Sequence, residues 1–82
     1  MSNARYRLPV GLGDLLRSEM THCIEEANLG RDDTVIATRY LVDQWPQIDI
    51  AAEMGWTRST VSSRIPRIVE KVEKAAKKMR LA

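Results

Sequence analysis

From Thr57 to Arg67 the chain reads Thr-Arg-Ser-Thr-Val-Ser-Ser-Arg-Ile-Pro-Arg. Set on a helix, Val61 and Ile65 fall at i and i+4 and point to one side. The rest of the surface then carries Arg58, Ser59, Thr60, Ser62, Ser63, Arg64 and Arg67. No acid occurs from Arg58 to Val69, whereas a helix face turned merely to solvent usually includes Glu or Asp. Short hydroxyls donate or accept hydrogen bonds, and an arginine can grip guanine O6 and N7 together. A slim, basic, acid-free face of this kind suits the major groove of a DNA duplex. The competing reading is a polar face with no ligand.

Such a face is useful only if other elements hold the opposite side. Residues 47–54 predict a short helix that ends at Gly55, where glycine takes a positive φ at no steric cost. Ala51 is small enough for two helices to cross closely, and Trp56 can plug the gap between them. Thr57 is a good N-cap, and Ile50, Met54, Val61 and Ile65 form the shared core. Residues 47–66 therefore read as a helix-turn-helix.

Thr60-Val61-Ser62-Ser63-Arg64-Ile65, followed by Arg67, resembles the recognition helix of the DNA-binding fourth region of bacterial RNA polymerase sigma factors. The similarity is nearest to the small extracytoplasmic-function type, whose pattern runs roughly T-V-K-S-R-L-x-R-A. Ile50-Ala51-Ala52-Glu53-Met54-Gly55 is similar to the I-A-x-x-L-G of the preceding helix, and Thr38-Arg39-Tyr40-Leu41 to an L-R-Y stretch before it. The resemblance covers about residues 32–72, and compact helix-turn-helix regulators of phages and mobile elements share these patterns. It implies double-stranded DNA as partner and RNA polymerase as a second one. Thr57, Arg58, Ser59, Thr60, Ser62, Ser63, Arg64, Arg67 and Lys71 are the expected DNA-binding residues: Arg58, Arg67 and Lys71 on phosphates, Thr60, Ser63 and Arg64 on bases. Three departures stand out. There is no counterpart of the sigma region that binds the −10 element and the polymerase clamp, so a complete sigma factor is not expected. Ser62 replaces a lysine of the family pattern and removes a phosphate contact. Pro66 lacks an amide and crowds the Ser62 carbonyl, which predicts a kink or break near 65–66 and a new direction for Arg67.

Around this segment the apolar spacing predicts further helices. Leu12, Leu15, Leu16, Met20, Cys23, Ile24 and Ala27 form one stripe, with Gly30 as its stop. His22 and Cys23 diverge on that helix, Cys23 to the core and His22 to the surface. Asp32 or Asp33 can cap the next helix, which buries Val35, Ile36, Tyr40 and Leu41 and ends near Gln44, before Pro46. After Pro66, Ile68, Val69, Val72, Ala75, Ala76 and Met79 form a last stripe. It can pack on the first helix or form a homodimer seam through residues 66–80; alanines and short length make a free-standing coiled coil weak. Residues 1–10 show no periodicity and read as a flexible arm preceding one helical domain over 11–82.

Charge sharpens the asymmetry. Residues 1–55 carry a net −4 and residues 56–82 a net +6, so a near-neutral chain has one basic end. That end suits a polyanion, or is a solvated lysine-rich helix. One Cys and one His exclude a disulfide framework and leave too few soft ligands for a zinc site within the chain. No phosphate loop, catalytic triad or paired catalytic carboxylates occur, since Glu25-Glu26 and Asp32-Asp33 diverge on a helix, and no apolar run approaches a membrane span. The expectation is an all-α bundle of four to five helices in a cytoplasmic, non-enzymatic DNA-binding regulator that needs no cofactor. The alternative is a protein-interaction module that binds RNA polymerase or another transcription factor, with the acidic first two helices as its contact surface.

Overall fold

The computed structural model describes residues 15–79, so the N-terminal arm over 1–10, Leu12 and Arg80 lie outside the described residues. The fold is an all-α bundle, with α1 at Arg17–Ala27, α2 at Arg31–Ala37, α3 at Gln47–Met54 and α4 at Arg58–Lys78. A π-helical turn, Thr38–Val42, continues α2 directly. Its wider turn rotates less per residue and gathers the consecutive side chains Tyr40, Leu41 and Val42 into the core.

Helix boundaries follow from capping rather than from the apolar stripe. α1 begins at Arg17, because the Leu16 amide donates to the Glu19 carboxylate at 3.0 Å and closes the first turn there. Leu16 is exposed, and only Leu15 of the two adjoining leucines packs on the core. α1 stops at Asn28, which takes the left-handed conformation (φ 54°), two residues before the expected stop at Gly30. Gly30 (φ 95°) instead precedes the first residue of α2. Neither Asp32 nor Asp33 caps α2; both sit inside its first turn, where their charge still favours the positive end of the helix.

The α3–α4 connection matches the sequence pattern closely. Gly55 adopts φ 73°, and a Cβ there would meet no atom within 4 Å, so conformation rather than space calls for glycine. The Trp56 amide reaches back to the Ala51 carbonyl at 2.9 Å, a Schellman-type closure. Thr57 caps α4 by accepting from the Thr60 amide at 3.3 Å. Ile50, Ala51, Val61 and Ile65 are all buried where the two helices meet.

α4 does not break at Pro66: it runs unbroken from Arg58 to Lys78. A proline inside a helix costs about 3 kcal/mol, but the apolar residues on both sides of it anchor one continuous face. Val61, Ile65, Ile68, Val69 and Val72 are at most 2% exposed, while Pro66 itself faces solvent.

The second half of α4 packs along α1, and its first half meets α3 and α2. Ile68, Val69, Val72, Ala75 and Ala76 are buried in this arrangement, so the apolar stripe that a homodimer seam through residues 66–80 would use is covered within the single chain. No described helix is long and apolar enough to cross a membrane.

Candidate functional site

The outer side of α4 stands clear of the bundle. Arg58, Ser59, Thr60, Ser63, Arg64 and Arg67 are all exposed, and the terminal part of the helix does not fold over them. Because the helix is continuous, Ser63, Arg64 and Arg67 share one side at i, i+1 and i+4, and together with Asp33 they line a recess of about 360 Å³. The break expected at Pro66 does not occur, and Arg67 lines the same recess as Ser63 and Arg64. Arg58 and Arg67 form no ion pair among the described residues.

Hydroxyls on this side are held by local bonds. Thr57 Oγ1 serves the cap and lies 2.9 Å from Thr60 Oγ1 and 3.3 Å from Ser59 Oγ. Ser63 Oγ donates to the Thr60 carbonyl at 2.9 Å. Each hydroxyl keeps a lone pair or a rotatable proton for a further partner.

Two expected residues fall elsewhere. Ser62 is half-buried and donates to Gln47 Oε1 of α3, so it ties the two helices together rather than joining the open side. Lys71 is exposed but lines a different recess, of about 290 Å³, between α1 and α4 with Glu26, Lys74 and Lys78. A duplex on the first turns of α4 would meet Lys71 only at its edge.

The structure also brings in two residues that spacing along α4 cannot reveal. Asp33, from the first turn of α2, accepts a hydrogen bond from Arg64 Nη1 at 2.9 Å. The Arg64 guanidinium carbon sits 4.7 Å from the centre of the Trp56 ring, in cation–π contact. The absence of acids from Arg58 to Val69 is therefore a property of that stretch of α4 alone, since a carboxylate arrives beside it from α2. Trp56 does plug the turn as expected, packing against the core, but its ring also supports Arg64.

A second polar cluster joins the other end of α2 to α3. Arg39 donates from Nε and Nη2 to Glu53 (3.0 and 3.2 Å) and from Nη1 to Asp43 (3.0 Å), with its guanidinium 4.6 Å over Trp45. Arg17 donates to the Val42 carbonyl at 2.9 Å and to Asp43 at 3.2 Å. Hydrogen bonds from Arg39, and then from Arg17, hold the Asp43 carboxyl below its ordinary pKa. The bonds to Glu53 and Asp43 raise Arg39 further above its already high value. In the core, burial and then the Glu19 charge push the Cys23 thiol up, which keeps it protonated and unreactive at neutral pH. His22 is exposed and Cys23 is not, as their places on the helix require.

Comparison with protein-family models, with curated proteins and with solved structures finds no match.

Proposed function

We propose that this chain is a sequence-specific DNA-binding transcription regulator whose α4 enters the major groove by its first turns. One observation carries the reading: the side of α4 bearing Arg58, Ser59, Thr60, Ser63, Arg64 and Arg67 is exposed and uncovered, in a helix–turn–helix frame. Arg58 and Arg67 supply cations for phosphates, which set position, while Thr60, Ser63 and Arg64 face base edges, which set sequence. The resemblance to the fourth region of sigma factors points the same way. A cytoplasmic, non-catalytic role goes with it.

Fluorescence polarisation with labelled random duplex tests the proposal. At low salt, binding at roughly micromolar Kd that weakens steeply as salt rises supports it. Absence of duplex binding at low salt overturns it. That outcome favours the second reading, a module docking on RNA polymerase or another transcription factor. The exposed carboxylates Glu25, Glu26 and Asp32 on α1 and α2 would then meet a basic partner surface.

A further inference from the structure

Arg64 is held from two directions, and neither support belongs to its own helix. Asp33 reaches it across 31 positions of sequence, and the Trp56 ring lies beneath it in the turn. Asp33 is itself firmly placed. It sits three and four residues before Ile36 and Ala37, both fully buried, and its side chain is only 19% exposed. Arg64 remains 44% exposed, and the contact to Asp33 uses one of its several N–H donors. Arg64 lines one recess together with Asp33, Ser63 and Arg67.

We infer that Asp33 is a positioning residue for base reading, holding Arg64 preset toward a guanine edge and away from the phosphates. The inference rests on the DNA-binding reading. An arginine free to swing beside a duplex is captured by the nearest phosphate, because the phosphates dominate the field and make no demand on sequence. A carboxylate bonded to Nη1 of the guanidinium opposes that capture. It repels a phosphate from the recess and fixes the direction of the planar fork, while the Trp56 face fixes its plane. The fork is thus ordered before binding, so less side-chain freedom is lost when it meets guanine O6 and N7. Arg67, without an ion pair among the described residues, is left to take the phosphate.

The test is selection of bound sites from a duplex pool randomised at its centre, using the wild-type chain, Asp33→Asn, Asp33→Glu and Arg64→Ala. The wild-type selection should show a guanine preference of about tenfold at a position that Arg64→Ala flattens. Asp33→Asn should flatten that same position and no other. Its affinity for random duplex should rise, and its salt slope should steepen by about one, as the released Arg64 takes a phosphate. Asp33→Glu keeps the carboxylate and should restore much of the preference. Circular dichroism melts verify that the variants fold, and the position-specific preference is a readout that general loosening would not move. If Asp33→Asn binds with wild-type base preference, the inference is overturned while the DNA-binding reading stands. If Asp33→Asn sharpens the guanine preference, Asp33 is an inhibitor of Arg64 and the inference is overturned in the opposite sense. Absence of duplex binding by the wild-type chain removes both.

Discussion

The molecule contains two arginine–tryptophan stacks of nearly the same geometry, Arg39 over Trp45 at 4.6 Å and Arg64 over Trp56 at 4.7 Å. Their surroundings differ in charge. Arg39 meets two carboxylates, Asp43 and Glu53, and spends its guanidinium on joining the π-turn after α2 to α3. Arg64 meets one carboxylate through one bond and lines an open recess with Ser63 and Arg67. An arginine whose donors are used up within the fold serves the fold. An arginine given one partner and a stacking surface is oriented with donors to spare, and those donors are open to a ligand. Stacking on tryptophan does not tell the two apart; the number of acids within reach does.

The sharpest way to break this comparison uses neighbouring residues on α4. Ile65 is 1% exposed, and Ile65→Ala should cost about 2–5 kcal/mol in urea denaturation through lost burial and a residual cavity. Arg64→Ala, one position earlier, should leave the urea midpoint nearly unchanged, since a part-exposed ion pair contributes little. A large loss of stability in Arg64→Ala would place Arg64 with Arg39 as a structural residue. The next effect exchanges the readouts. On its selected site Arg64→Ala should lose about 1–3 kcal/mol of binding and relax specificity at one position. Arg39→Ala should lower the melting temperature and leave the sequence preference of the folded fraction intact. Equal losses for Arg64→Ala on selected and random duplex would contradict a base-reading role.

Lys71 gives a smaller and more uniform effect. It stands one turn beyond Arg67, in the recess between α1 and α4. Lys71→Ala should weaken binding to all duplexes alike and reduce the salt slope by about one if the DNA extends that far along α4. An unchanged slope would confine the interface to the turns between Arg58 and Arg67.

How much of this was legible in the sequence depends on the range of the interaction. The α3–Gly55–α4 frame was readable almost to the residue, because a positive-φ glycine, a threonine cap and an i, i+4 apolar pair are all local. Cys23 inside and His22 outside followed from helical spacing in the same way. Local rules failed where distant packing decided. Pro66 predicts a kink or break, yet α4 stays helical through it, with buried residues on both sides. Leu16 continues the apolar stripe, yet the Glu19 bond starts α1 after it. Asp33 reads as a helix cap and Ser62 as a groove-facing hydroxyl, but their partners, Arg64 and Gln47, lie on other helices. The acid-free run from Arg58 to Val69 located the candidate surface. It could not show that α2 brings a carboxylate to it, since nothing near Arg64 in the chain encodes that approach.

The gentlest test of the comparison is acid. Arg39 and Arg17 hold the Asp43 carboxyl below its ordinary value of 3.8, so the folded state binds that proton less readily than the unfolded state does. Its contribution to stability is therefore complete above the ordinary carboxylate range and fades as pH falls through the depressed folded value. Asp43→Asn should be less stable than the wild-type chain at neutral pH, and the gap between their melting temperatures should narrow progressively on acidification. The Arg64 cluster should behave differently if its role is to orient rather than to stabilise. Asp33→Asn should show only a small gap from the wild-type chain at neutral pH. If Asp33→Asn instead loses as much stability at neutral pH as Asp43→Asn, the Asp33–Arg64 pair supports the fold as the Arg39 cluster does, and the distinction between the two stacks is lost.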